Sequence, residues 1–252
     1  MSEVQFLSGP LGGFMRVALL LFGQPRYAEA TFPKMMETII APNNADVFIH
    51  TWLDDTIIGK QMEHFSKDGE TVSDVIPDNI LDRLYKLYKP KALACGVQPD
   101  MTKIADSRVP IEERINVALY NQHTSAFKAD LLRRHHQQEH GFIYDMVIRS
   151  RFDCFLNYVW NASSYDPNVL HIPYWMNKNE NMMSPVLDQF AWGNDKCMGV
   201  YADMIMFINE MVDIGVWIQS EFMIHFHLTR FNVPFRRVNA NFNFTRNLIG
   251  KN

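Results

Sequence analysis

Arg149, Arg151 and Asp153 follow the apolar run Met146-Val-Ile148 at alternating positions. If that run is a β-strand, alternation puts all three side chains on one side of it, where the strand ends. Guanidinium groups and a carboxylate at the end of a buried strand are costly to desolvate unless they are paired or meet a charged ligand. Two chemistries fit. In one, the arginines meet the oxygens of a diphosphate and Asp153 holds a divalent cation, Mn2+ or Mg2+, that bridges them, because hard cations favour carboxylate, phosphate and water oxygens. In the other, arginine and aspartate form a structural ion pair.

Two further segments place polar groups where an apolar run stops. Arg16-Val-Ala-Leu-Leu-Leu-Phe22 is followed by Gly23, Gln24, Pro25 and Arg26, and Ala45-Asp-Val-Phe-Ile leads into His50, Thr51 and Trp52. Gly23 allows close approach of backbone to a ligand, Arg26 suits bidentate contact with phosphate, and Trp52 offers a surface for a base or a sugar. Taken singly these are a turn, a surface arginine and a core tryptophan. Together they form the rim of a pocket, because ligands of open parallel sheets bind beyond the carboxyl ends of the strands.

The elements that must hold these residues are those of an α/β fold. The first apolar run is short and continuous, as in a strand buried on both faces. A helix is expected over 27–40 and a second strand from Ala45, which makes a right-handed βαβ unit with parallel strands. From Asp54 to Val75 the chain is polar and without clear period, and an irregular excursion is expected. Helical spacing returns between Pro77 and Tyr88, and Lys91 to Val97 suits a short strand. Pro110 opens a long helix that Gly141 closes, with Gln122 and Ser125 interrupting its apolar stripe. Strands are expected near Val169 to Ile172 and Val233 to Val238, and helices from Asp195 and from Ser220. The expected architecture is one α/β domain over 15–252, a mostly parallel sheet flanked by helices, preceded by a flexible leader over 1–14.

Composition narrows the function. The chain has 24 Lys plus Arg against 28 Asp plus Glu, a net charge of −4. A nucleic-acid partner would call for a basic excess that is absent. No apolar run reaches the ~18 residues of a transmembrane helix. Cys95, Cys154 and Cys197 match no zinc or redox spacing, so a reduced, cytoplasmic setting is expected. The acceptor patterns at Asn161 and Asn243 then read as chance matches for glycosylation. His135, His136 and His140 read as a solvated helix end.

Phe-Gly-Gln-Pro-Arg after the first strand, Asp-Val-Phe-Ile-His-Thr-Trp at the second, Tyr-Asp-x-Val-Ile-Arg-x-Arg-Phe-Asp in mid-chain and the later Asp-Gln-Phe-Ala-Trp-Gly together resemble small GT-A-type glycosyltransferases. Such proteins occur in bacterial surface-polysaccharide clusters, the WavE-like lipopolysaccharide proteins among them, and in large DNA viruses and phages. The resemblance runs from about Arg16 to Val238. It implies a GT-A-like fold and a nucleotide-sugar donor held near 23–26 and 50–52. The acceptor would be a glycan, a lipid-linked glycan or a protein. It also implies that Asp153 stands in the place of the metal-binding Asp-x-Asp signature. This chain carries Arg151 where the first aspartate of that signature would be, so a guanidinium can supply part of the positive charge.

An inverting transfer further needs a carboxylate within reach of the attacking hydroxyl. Asp188, which ends a loop before an apolar segment, is the first choice for that base. Glu221, in the first turn of a late helix, is the second. Trp192, beside Asp188, is the best placed of the later tryptophans to offer a platform to the acceptor sugar. Two other classes stay open at this stage: a nucleotidyltransferase on a similar sheet, and a non-catalytic carbohydrate-binding or assembly protein derived from an enzyme. A P-loop kinase or sulfotransferase is disfavoured by the absence of G-x-x-x-x-G-K-[ST].

Overall fold

A computed structural model describes residues 15–65, 71–98, 113–173 and 186–249. The expected leader over 1–14 and the start of the long helix at Pro110 lie outside the described residues.

The chain begins with β1 (Val17–Gly23), whose apolar run serves both faces of a sheet: Val17, Leu19 and Leu21 enter one core, and Ala18, Leu20 and Phe22 the other. Burying each large apolar side chain contributes roughly 1.5–3 kcal/mol, which is why such a segment takes the centre of a sheet. Helix α1 (Ala28–Met35) follows, runs into a π-turn at Met36–Ile40 and the short α2 (Ala41–Asn43), and ends where Asn44 turns left-handed. Strand β2 (Asp46–Trp52) then pairs with β1 in parallel, Leu21 opposite Ile49 and Gly23 opposite Thr51.

The excursion expected to be irregular contains an antiparallel pair, β3 (Gln61–Phe65) and β4 (Thr71–Val75). Helix α3 (Ile80–Tyr88) and strand β5 (Ala92–Gly96) come next, and β5 extends the parallel sheet beyond β2. The long helix α4 (Glu113–His140) stops at Gly141, whose φ of 65° permits the reversal.

Strand β6 (Met146–Arg151) returns to the other side of β1, in parallel, and β7 (Cys154–Leu156) leaves the sheet. Then come β8 (Leu170–Pro173) and β9 (Phe190–Gly193), followed by α5 (Asp195–Asp203), a 3-10 turn at Met204–Phe207, α6 (Ile208–Asp213) and α7 (Ser220–Arg230). Strand β10 (Phe235–Val238), β11 (Phe242–Phe244) and α8 (Arg246–Ile249) complete the described chain.

The main sheet has seven strands in the order β10-β8-β9-β6-β1-β2-β5. It is parallel except at β9, which runs against both β6 and β8. Helices α1 and α3 pack on one core, and α4, α5 and α7 on the other. The architecture is therefore α/β, with a mostly parallel mixed sheet between helices. The chain leaves β1 toward β2 on one side and later returns to β6 on the other. A change of direction of this kind opens a crevice at the carboxyl ends of the strands.

Candidate functional site

A cavity of about 200 Å³ lies at that place, lined by Gly23, Gln24, Arg26, Trp52, Arg151 and Asp153. Asn121 and Gln122 from α4 and Gln98 beyond β5 close its other wall. Its size suits a diphosphate with part of a sugar or base, and is below the ~300–1,000 Å³ usual for a whole small-molecule ligand.

The turn after β1 is held from both sides. Gly23 has a φ of 95° and no neighbour within 4 Å of the position a Cβ would take. Its N–H donates to Ser125 Oγ at 2.8 Å, and its carbonyl accepts from Thr51 Oγ1 at 2.9 Å. Ser125 Oγ also lies 2.8 Å from His50 Nδ1 and donates to the His50 carbonyl at 3.1 Å. Burial, with Lys128 nearby, pushes the His50 pKa down to about 4, so the ring is neutral. His50 and Thr51 thus brace the Gly23 turn from below and do not line the cavity, a correction to their expected place beside the ligand. Ser125, which interrupts the apolar stripe of α4, is the polar group that joins them.

Trp52 borders the cavity but is buried. Its indole N–H donates to the Asn121 carbonyl at 3.0 Å, and Lys128 Nζ sits over its ring at 4.7 Å. A Cβ on Gly96 would fall 3.2 Å from that ring. The open stacking face expected of Trp52 is taken by the protein's own groups.

Asp153 lies in the turn after β6 rather than on the strand, and is 4% exposed. Arg151 grips it with two hydrogen bonds, Nε to Oδ1 at 2.9 Å and Nη2 to Oδ2 at 2.6 Å. Burial raises the Asp153 pKa, but Arg151, with Arg246 and Arg26 behind it, outweighs burial and holds the carboxyl below its usual range. Burial and then repulsion from Arg151 lower the Arg26 pKa, with Asp153 pulling the other way. Arg26 Nε donates to Gln24 Oε1 at 2.6 Å, and Gln24 Nε2 to Gln98 Oε1 at 3.0 Å. The ion pair is therefore not sealed off: the cavity opens onto it and Arg26 stands beside it.

Arg246 carries no signal in the sequence. Pairing of β11 with β7 sets Phe244 opposite Cys154, and the Thr245 N–H donates to the Asp153 carbonyl at 2.9 Å. This brings Arg246 to Asp153, with the Phe244 ring 4.6 Å from the Arg246 guanidinium and 5.5 Å from that of Arg151. Asn121 and Gln98 were equally unmarked, since single amides carry no pattern.

Arg149 behaves differently from Arg151. It is buried between the rings of Phe22 at 4.7 Å and Tyr201 at 4.2 Å, and donates from Nη2 to the Asp188 carbonyl at 3.1 Å. It does not line the cavity, so the expected phosphate contact gives way to support of the Asp188 loop. Asp188 is buried, with Oδ1 lacking a hydrogen-bond partner, and Asn121 Nδ2 and Oδ1, Gln122 Nε2, and Arg149 Nε and Nη1 are likewise unpaired. Such orphans are uncommon in folded proteins and costly, about 1–3 kcal/mol each, and those of Asn121 and Gln122, which line the cavity, suit a polar ligand.

Glu221 sits half-buried in the first turn of α7. Burial first, and then the neighbouring charge of Asp188, raise its pKa above the usual carboxylate range. The charge of Asp188 also acts on Arg151, which lines the cavity. Trp192 is wholly buried against Trp160, Tyr165 and His171, and offers no sugar platform.

A resident divalent cation fits Asp153 poorly. The carboxylate has both oxygens on Arg151, its other charged neighbours Arg246 and Arg26 are cations, and among the described residues no cluster of metal ligands includes it. Guanidinium groups occupy the place where an ion would need oxygen ligands.

A scan against protein-family models and a search of curated proteins return no match for the chain. Among the described residues no helix is long and apolar enough to cross a membrane.

Proposed function

We propose that this chain is a glycosyltransferase that moves a sugar from a nucleoside-diphosphate-sugar to a glycan, a lipid-linked glycan or a protein. One observation carries the reading: among the described residues, the guanidiniums of Arg26, Arg151 and Arg246 all act on the carboxylate of Asp153, where a cavity opens at the carboxyl ends of β1 and β6. Guanidinium groups gathered beside open space suit a pyrophosphate.

In this reading Arg26 and Arg151 hold the diphosphate and spread the charge that builds on it as the glycosidic bond breaks. Asp153 fixes the Arg151 fork. The Gly23 turn lets the backbone approach the donor. Glu221 takes the proton of the acceptor hydroxyl, and burial, then the charge of Asp188, raise its pKa, which makes it a stronger base. A GT-A-like fold belongs to the same proposal, and the arginines replace the divalent cation that such a fold usually supplies with aspartates.

Thermal-shift measurements with UDP, GDP and dTDP, each with and without Mn2+, test it. Stabilisation by a nucleoside diphosphate without added metal, lost in Arg26→Ala, is the expected result. Slow hydrolysis of a nucleotide sugar by the wild type and none by Asp153→Ala would separate an enzyme from a binding protein. A response to nucleoside triphosphates alone would favour nucleotidyl transfer, and no response to any nucleotide would sink the proposal.

A further inference from the structure

At the far end of α4, His136, Glu139 and His140 present one ligand atom each, all within 4.8 Å of one another. They stand at helical spacings of three and four, which put them on one face. We propose that these side chains form a site for a borderline divalent ion, Zn2+ foremost, with Ni2+ and Cu2+ as alternatives and open positions left for water.

Several features prepare the site. His140 Nδ1 donates to the His136 carbonyl at 2.9 Å, which leaves Nε2 with its lone pair free to bind metal. The His136 ring is held by Phe48 at 5.5 Å and Phe142 at 5.8 Å, while the His140 ring lies 4.1 Å from it. The helix ends here at Gly141, and the carbonyl end of its dipole favours a cation. Ligands at ~2.0–2.2 Å from a tetrahedral ion stand ~3.3 Å apart, so the set must close somewhat. Glu139 and His140 are exposed and can turn to do so, Glu139 giving up its 3.6 Å approach to His135. Two imidazoles select against Mg2+ and Ca2+. From Gln122 in the cavity to His136 the helix rises ~21 Å at ~1.5 Å per residue, so this ion is separate from any donor chemistry.

The test is titration of the EDTA-stripped full chain with ZnCl2, followed by calorimetry and thermal melts. The expected result is one ion per chain and a rise in Tm. His140→Ala and Glu139→Gln should each weaken binding tenfold or more, Asp153→Asn should leave it intact, and Mg2+ should produce no effect. Both weakening substitutions fall on exposed positions outside the cavity, so folding and nucleotide response serve as controls. Absence of binding overturns the proposal. So does binding that survives His140→Ala, or that is lost in Asp153→Asn, since either result assigns the ion elsewhere.

Discussion

Two arginine–aspartate clusters in this chain use the same chemistry to opposite ends. On α4, Asp130 accepts from Arg133 Nε at 2.7 Å and from Arg134 Nε at 2.6 Å, while Asp195 pairs with Arg133 and Asp203 with Arg134 at 2.8 Å. Two guanidiniums there meet three carboxylates, and the side chains of Arg133 and Asp130 are fully buried. Its centre is closed, its rim of Arg134, Asp195 and Asp203 is partly exposed, and it ties α4 to α5. Around Asp153, among the described residues, the guanidiniums of Arg26, Arg151 and Arg246 act on one carboxylate, and a cavity lies alongside. Ion pairing alone therefore does not mark a site; guanidiniums gathered beside an open cavity do.

Asp130→Ala should separate the two clusters most sharply. Removing one partner of a buried pair leaves the other charge stranded, and a loss of ~3–5 kcal/mol is expected in urea unfolding. Nucleotide response of the folded fraction should be unchanged. A loss below about 1 kcal/mol would mean that the two clusters do not differ in kind.

Asp153→Asn should cost less, ~1–3 kcal/mol, because water in the cavity can solvate the freed guanidinium. It should also keep or strengthen affinity for a nucleoside diphosphate in metal-free buffer. Binding that instead falls, and falls only when Mn2+ is present, would restore the metal reading. The pH dependence follows from the depressed Asp153 pKa. Its contribution to stability is full above the unfolded carboxyl value of ~3.9 and is lost as pH falls through the lower folded value. Asp153→Asn should therefore unfold with a shallower pH dependence below pH ~4 than the wild type. Ser125→Ala ranks next, at roughly 1–2 kcal/mol, since it strands the Gly23 N–H and deprives His50 of its partner.

Much of the scaffold was legible. An uninterrupted run such as Val17 to Phe22 has one economical place in a fold, the middle of a sheet. The polar strand ends at Gly23–Arg26 and Arg151–Asp153 fall together because parallel strands point their carboxyl ends the same way. The β3–β4 pair escaped because Gln61–Phe65 and Thr71–Val75 are short and rich in polar residues, and pair outside the main sheet. Arg149 and Arg151 share strand parity, yet one is sandwiched by Phe22 and Tyr201 and the other reaches the cavity. Alternation gives the side of a strand and is silent on what packs there. Arg246 lay beyond reach because only the β7–β11 pairing brings it to Asp153.

The smallest expected change in stability belongs to Glu221. Its folded pKa is raised, by burial and then by Asp188, so the charged form is the one the fold disfavours. That penalty is absent below the unfolded carboxyl value of ~4.3 and is fully present above the raised folded value. Glu221→Gln should thus leave stability unchanged at pH 4 and equal or slightly higher at pH 7, while sugar transfer falls sharply. Asp188→Asn removes the neighbouring charge, so Glu221 should titrate at lower pH. The acid limb of the pH–rate profile should move down with it, donor binding should be spared, and transfer at pH 7 should drop because a less basic carboxylate takes the proton less readily. Loss of donor binding in Asp188→Asn would instead place Asp188 on the diphosphate side of the cavity. An acid limb that stays fixed would remove Glu221 from the proton transfer.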